Sequence, residues 1–183
     1  MNKWKQKRSV IRRYDVTAEI YDMRYAEEQE AKYAAALAEV NVSGAVLDVG
    51  CGSGLLFTHV AAKTEVVIGV DVSKKLLLQA KMRAKNLCNA HVVLADADHL
   101  PFETACFDVV FAFTVLQNMP KPAETLRELK RVTKRDGVTV VSGLKKAFSL
   151  EALGEFLQQA GLRVVSFRDD DALKCYVTVS IQE

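Results

Sequence analysis

The sequence predicts an α/β fold: a seven-stranded, mostly parallel sheet with an antiparallel C-terminal strand and helices on both faces. Three observations predict it. From Ala45 onward, apolar runs of strand length alternate with segments of helical period. A glycine-rich turn follows directly on the first of those runs, and the last two runs are joined only by the short polar stretch from Arg168 to Ala172, which suits an antiparallel pair.

The first strand is Ala45 to Val49, followed by the glycine turn and a helix around Leu55 to Ala62; the second strand is Val66 to Val70. Ser73 is placed to cap a helix whose Leu76, Leu77, Ala80, Ala84 and Leu87 share one face. The third strand, His91 to Ala95, leads through Leu100-Pro101-Phe102 to the fourth, Phe107 to Ala112. Both are nearly continuous apolar runs, the pattern of strands buried on two faces. Pro122 fits the first position of a helix that turns Leu126, Leu129 and Val132 inward and carries Lys134 and Arg135 in its last turn. Asp136-Gly137 then turns the chain into the strand Val138 to Ser142. Ser149 caps a helix bearing Leu150, Leu153, Phe156 and Leu157, closed by Gly161, ahead of the strands Leu162 to Phe167 and Lys174 to Ile181.

Ahead of the sheet, Ala18 to Val40 reads as mostly helical, contains Tyr21, Tyr25 and Tyr33, and is long enough to lie over the sheet edge as a partial lid. Residues 1–40 are therefore expected to be an N-terminal helical lid segment and 41–183 the ligand-binding domain, one compact unit overall. Lys3, Lys5, Lys7, Arg8, Arg12 and Arg13, with Trp4 and Tyr14 among them, form a basic cluster able to meet RNA phosphate and stack a base, although a solvated, mobile terminus is the commoner meaning.

With 183 residues, half of them hydrophobic, one well-filled core is expected, and a net charge of +2 gives no global sign of a polyanionic or membrane partner. The four cysteines, Cys51, Cys88, Cys106 and Cys175, form no CxxC pair, which argues against a zinc site or a disulfide framework and for a reducing cytoplasm. The basic N-terminus lacks the apolar stretch of a signal peptide, and no run of eighteen apolar residues occurs, so a soluble, unexported chain is expected.

The chemistry concentrates in Val46-Leu47-Asp48-Val49-Gly50-Cys51-Gly52-Ser53-Gly54, where a strand carrying an aspartate runs into a turn whose glycines let backbone approach a ligand. Asp48, Asp71, Asp96 and Asp98 all fall at strand ends on the carboxyl edge of the sheet, where open α/β sheets bind ligands. That acidity would repel a polyphosphate. S-adenosylmethionine, by contrast, carries a sulfonium and an ammonium, has no phosphate, and offers hydroxyl and amine donors.

The stretch from Val46 to Gly143 resembles the class I S-adenosylmethionine-dependent methyltransferases, particularly the UbiE-like group, whose sheet is Rossmann-like. Leu47 to Gly54 is similar to the cofactor loop of that family, Gly69-Val70-Asp71-Val72-Ser73 to its second-strand end, and Ala95-Asp96-Ala97-Asp98-His99-Leu100-Pro101-Phe102 to its third-strand segment. The resemblance implies that the loop Gly50, Cys51, Gly52 and Gly54 passes beneath the methionine moiety, that Asp48 holds its amine, and that Asp71 takes the ribose hydroxyls. It further implies that Val72 packs on adenine while Asp96 and the Ala97 backbone N–H read its edge. Phe107 to Ala112 resembles the fourth-strand motif, with Phe113, Thr114 and Gln117 at the site mouth. The sequence lacks the histidine pair that the family often carries near Gln117-Asn118. It also lacks the Asn/Asp-Pro-Pro-Tyr/Phe motif of enzymes acting on exocyclic or amide nitrogens, because Ala112-Phe113-Thr114-Val115 stands there.

Methyl transfer from a sulfonium is an in-line displacement with a neutral leaving group, so positioning and desolvation can carry it without a catalytic triad. His99, Asn118, Tyr14 and Tyr21 are the candidate acceptor contacts, each with a plain reading as a loop, lid or packing residue. Lys145 and Lys146 follow the fifth strand, where they are placed to draw in an anionic acceptor or simply to keep an exposed loop soluble. The acceptor itself, whether small molecule, tRNA or protein, stays open; small members of the class that work with an activating partner subunit are similar in size. Two alternatives stand beside the methyltransferase. One is an NAD(P)-binding oxidoreductase, since Asp71 follows the glycine turn at a ribose-binding distance, although Leu55 occupies the third-glycine position. The other is a noncatalytic scaffold subunit. No metal site is expected.

Overall fold

The computed structural model describes residues 3–183. Its elements run α1 (Lys3–Thr17), α2 (Tyr21–Leu37), β1 (Ala45–Val49), α3 (Phe57–Val60), β2 (Val66–Asp71), α4 (Lys74–Ala84), β3 (Ala90–Leu94), β4 (Phe107–Ala112), α5 (Pro122–Val132), β5 (Thr133–Leu144), α6 (Leu150–Gln159), β6 (Leu162–Arg168) and β7 (Cys175–Gln182). The sheet order is β3-β2-β1-β4-β5-β7-β6, parallel throughout except for β7, which is antiparallel to both β5 and β6. The predicted α/β architecture is thus the one observed.

Alternation along the strands sends side chains to two cores, one on each face of the sheet. On one face Val46, Val67, Val109 and Phe111 pack beneath Phe57, Leu77, Ala80 and the α2 residues Tyr33 and Ala36. On the other, Leu47, Val70 and Val110 meet Leu126, Leu129, Leu153 and Leu157 of α5 and α6. Ser73 and Ser149 cap their helices as expected, accepting from Leu76 N and Ala152 N.

Five expectations are corrected. β3 is an edge strand, so its apolar run is not buried on both faces: Leu94 remains 52% exposed. The helix after the glycine turn is shorter than Leu55 to Ala62, a single α-turn continued by a 3-10 turn at Ala61–Lys63. Lys134 and Arg135 are not in the last turn of α5. The Thr133 hydroxyl bonds Leu129 O at 2.8 Å and its backbone is already extended, so the helix stops at Val132 with Lys130 and Arg131 as its terminal cations. Asp136-Gly137 is not a separate turn but part of a bulge inside β5, where the register with β4 passes from Phe107↔Thr133 to Val109↔Val138. Finally, the basic N-terminal segment is not a solvated terminus from residue 3 onward; it is helix α1, and Lys7 on it is buried.

Gly54 has φ +78°, and a methyl group there would stand 2.7 Å from the Phe57 ring and 3.2 Å from the Ala80 backbone. Gly54→Ala is therefore expected to cost about 2–4 kcal/mol, the sum of left-handed strain and overpacking, measurable as a lowered urea midpoint.

Candidate functional site

The turn after β1 is stitched to β2 by its backbone: Gly50 N and Cys51 N both donate to Val70 O, at 2.7 and 3.0 Å. Asp71, the last residue of β2, ties the same turn to the start of α4, because its carboxylate accepts from Gly52 N at 3.0 Å and Ser73 N at 2.8 Å. Gly50 has φ +70°, and a Cβ there would meet Val115 at 2.5 Å, so the turn tolerates no side chain at that point.

Asp48 lies beneath this turn and is 3% exposed. Burial first, and the neighbouring Asp71 charge second, push its carboxyl up to about 8 from an ordinary 3.8. Burial also raises Asp71, against the lowering effect of the backbone N–H groups it accepts from. Neither aspartate has an ion-pair partner among the described residues. The result is a pocket floor carrying uncompensated acidity.

A cavity opens above that floor. Of the residues singled out in the sequence, Gly50, Gly52, Asp71, Val72, Asp96, Ala97 and Phe113 line it, together with Tyr14, Tyr21 and Asn118. Asp48, Cys51 and Gly54 do not reach its surface. Cys51 packs in the core, its sulfur beside Gly69, and Gly54 backs onto Phe57. His99 is exposed and lines neither of the two cavities described here; its backbone N–H donates to Asp96 O at 2.9 Å and closes a tight turn. Asp98 faces away from the crevice toward Lys7 and the Thr125 hydroxyl.

The open side is closed by α1, which contributes Lys7, Val10 and Tyr14. Lys7 donates to both oxygens of Asp96, at 2.7 and 2.6 Å, and pairs with Asp98. Asp15 accepts from the Ser73 hydroxyl at 2.6 Å, and Arg13 donates to Asn118 Oδ1 at 2.6 Å. Helix α2 is pinned in turn: Asp22 meets both the Ser53 hydroxyl and, at 2.8 Å, Arg83 of α4. Closure leaves a volume of only about 80 Å³. Sequence reasoning missed Lys7 and Val10 as site residues, yet their spacing with Tyr14, three and then four residues apart, was the available sign of one helix face.

Tyr14, Tyr21, Thr114 and Asn118 also belong to a second, larger cavity of about 910 Å³ between α1, α2 and the loop after β5. Thr114 sits where the two meet, with φ +62°, a strained conformation for a β-branched residue. It is held there by the Ser142 hydroxyl on its N–H at 2.8 Å and by Lys32 Nζ on its own hydroxyl at 3.0 Å. Asn118 donates to Thr114 O at 3.1 Å and to the Tyr14 hydroxyl at 3.2 Å. Burial, with Tyr14 and Asp71 nearby, raises the Tyr21 phenol far above its ordinary range, so it acts as a hydrogen-bonding group and not as a phenolate at neutral pH. Among the described residues no group of His, Cys, Asp or Glu is arranged to hold a metal ion, and no helix is long and apolar enough to cross a membrane.

Residues 47–141 match the family model of the methyltransferase domain. The chain belongs to that family. Its fold and matched residues are those of the class I S-adenosylmethionine-dependent methyltransferase domain, which sets the oxidoreductase alternative aside. Among curated relatives, the malonyl-[acyl-carrier protein] O-methyltransferase of a Marinomonas species is 33% identical over 144 residues, covering 76% of this chain and 53% of that one. The demethylmenaquinone methyltransferase of Staphylococcus saprophyticus is 40% identical over 107 residues, 56% of this chain and 46% of that one. The chain thus spans about half the length of the curated relatives it matches. Among solved structures, a Haloferax volcanii protein described as the putative methyltransferase in complex with the Trm112 methyltransferase activator superposes with a TM-score of 0.81 at 18% identity, over 94% of this chain and 96% of that one, a likeness of fold.

The site fits the family's cofactor on its own chemistry. Two buried carboxylates without a cation would be relieved by a ligand carrying positive charge, and Gly50 and Gly52 of the turn line the same cavity as Asp71.

Proposed function

We propose that this domain transfers a methyl group to an acceptor held in the larger cavity, with the N-terminal helices as its lid. The observation that supports the reading most is the uncompensated pair Asp48 and Asp71 at the foot of a glycine turn. When bound, S-adenosylmethionine supplies an electrophilic methyl group on a sulfonium. In this reading Asp48 holds the amine of the cofactor, Asp71 its ribose hydroxyls and Asp96 its adenine amine, with Val72 against the ring and the Ala97 N–H on its edge. Gly50, Cys51, Gly52 and Gly54 shape the loop beneath.

On the acceptor side, Tyr14, Tyr21 and Asn118 border both cavities and are the groups that would orient the nucleophile, while Thr114 and Lys32 fix the wall between them. His99 keeps no acceptor role in this proposal. The catalytic contribution is then positioning and exclusion of water.

The lid assignment covers residues 1–40, of which the first two lie outside the described residues. The four free cysteines favour a cytoplasmic location. A protein partner of the kind seen with the Haloferax relative would find exposed Leu78 and Met82 on α4 and Leu94 on the edge strand β3. The scaffold alternative predicts no cofactor binding. Melting curves decide between them: S-adenosylmethionine and S-adenosylhomocysteine at about a hundredfold excess over Kd should add roughly 2.7 kcal/mol of stability, with NAD inert. An unmoved midpoint with both adenosyl ligands would favour the scaffold.

A further inference from the structure

The larger cavity has a charge unlike the rest of the molecule. Arg13 from α1, Arg24 and Lys32 from α2, Lys145 and Lys146 after β5, and Lys174 before β7 all line it, whereas the whole chain carries a net charge of only +2. Among the described residues Glu28 is the only carboxylate in the lining, and it is shared by Lys32 at 2.8 Å and Lys174 at 3.1 Å. Asp169 in the neighbouring loop takes Lys145 at 2.7 Å, with Asp171 also nearby. Arg24 and Lys146 have no carboxylate partner among the described residues. One cation is built into the floor and not merely exposed at a rim, for Lys32 is 1% exposed.

A second observation is independent of charge. Two side-chain acceptors in the same lining, Gln29 Oε1 and Gln117 Oε1, are buried without any hydrogen-bond partner, and Gln29 is 6% exposed. Buried acceptors left unpaired cost stability, and both residues lie in the lining, so turning either amide toward the cavity would let the N–H or O–H groups of a ligand satisfy it. Tyr14, Tyr21 and Tyr25 form a contiguous aromatic wall on one side, with ring centroids 6.2 and 5.1 Å apart.

We infer that this cavity takes a small anionic acceptor: a planar, hydroxylated acid whose carboxylate or phosphate meets the lysines and arginines while its hydroxyl or amine hydrogens meet Gln29 and Gln117. At about 910 Å³ the cavity falls within the range of small-molecule sites, with Lys32 buried at its base and Arg13, Arg24, Lys146 and Lys174 exposed around it; that concavity favours a small acid over a polynucleotide track. The inference rests on the methyltransferase reading, because the cavity counts as an acceptor site only if its neighbour holds the cofactor.

The test is calorimetric titration of the protein saturated with S-adenosylhomocysteine. The probes are 3,4-dihydroxybenzoate as the carboxylate, pyridoxine 5′-phosphate as the phosphate, catechol as an uncharged control and a short single-stranded RNA. Either acid should bind more tightly than catechol, weaken with added salt, and lose about tenfold in affinity in Arg24→Glu and in Lys146→Glu, with S-adenosylhomocysteine affinity unchanged. Which acid binds tells carboxylate from phosphate. Equal binding of catechol, indifference to both charge reversals, or binding of RNA with neither acid would overturn the inference. Acid binding in a protein that takes no S-adenosylhomocysteine would sink the methyltransferase reading, and with it the acceptor role, leaving a bare anion site.

Discussion

Asp48→Asn is expected to make the protein harder to unfold at pH 7.5 and, at the same time, to weaken binding of S-adenosylmethionine by two orders of magnitude or more. The stability gain follows from the direction of the shift. In the folded chain the Asp48 carboxyl titrates at about 8, against an ordinary 3.8. Between those values the unfolded chain has released a proton that the folded chain keeps, so stability falls as pH rises through the window and levels off above it. Asparagine has no proton to lose, so the variant should be about 1–3 kcal/mol more stable than the wild type near pH 8, the difference vanishing near pH 4. The binding loss has the opposite sign, since the ionised carboxylate is the group that would hold an ammonium. Urea unfolding of both proteins across pH, alongside ligand titration, checks both halves. A variant that unfolds more easily at every pH would contradict the reading of Asp48 as stored acidity.

Lys7→Met is expected to speed cofactor entry. The cavity beneath α1 holds about 80 Å³, well under the roughly 300–1,000 Å³ usual for sites that enclose a ligand, so in the proposed lid reading α1 swings aside for the site to fill. Opening breaks the contacts of Lys7 with Asp96 and Asp98 and frees Asp96, which lines the cavity, to meet an adenine amine. Removing the lysine should raise the association rate of S-adenosylhomocysteine about tenfold and make α1 more susceptible to proteolysis. Trp4, the single tryptophan of the chain, sits on α1 and gives stopped-flow fluorescence a direct signal. An unchanged association rate would mean that α1 does not gate the site.

The sheet was legible because parallel strands buried on two faces leave apolar runs that nothing else in the chain mimics: Ala45–Val49 and Phe107–Ala112 fall on their predicted bounds. The caps at Ser73 and Ser149 were equally legible, each being a local hydrogen bond. Spatial order was not. Nothing within His91 to Ala95 says that its strand lies at the edge, since that depends on which strand pairs with which. The bulge in β5 is set by pairing with β4, so Asp136-Gly137 looked like an ordinary turn.

In the site, the glycines and aspartates announced themselves by spacing from the first strand, but side-chain direction did not, which is why Cys51 faces the core and His99 faces solvent. Lys7 was hidden for a related reason. Its partners lie about ninety residues away in the chain, and a lysine in a basic run carries no mark of being buried.

The most direct test is calorimetric titration of the wild type and of Asp71→Ala with S-adenosylmethionine, with NAD as a control. Micromolar binding by the wild type, a loss of about a hundredfold or more in the variant, and no heat with NAD are expected. No binding of S-adenosylmethionine by the wild type, or equal binding by Asp71→Ala, would contradict the proposed cofactor site.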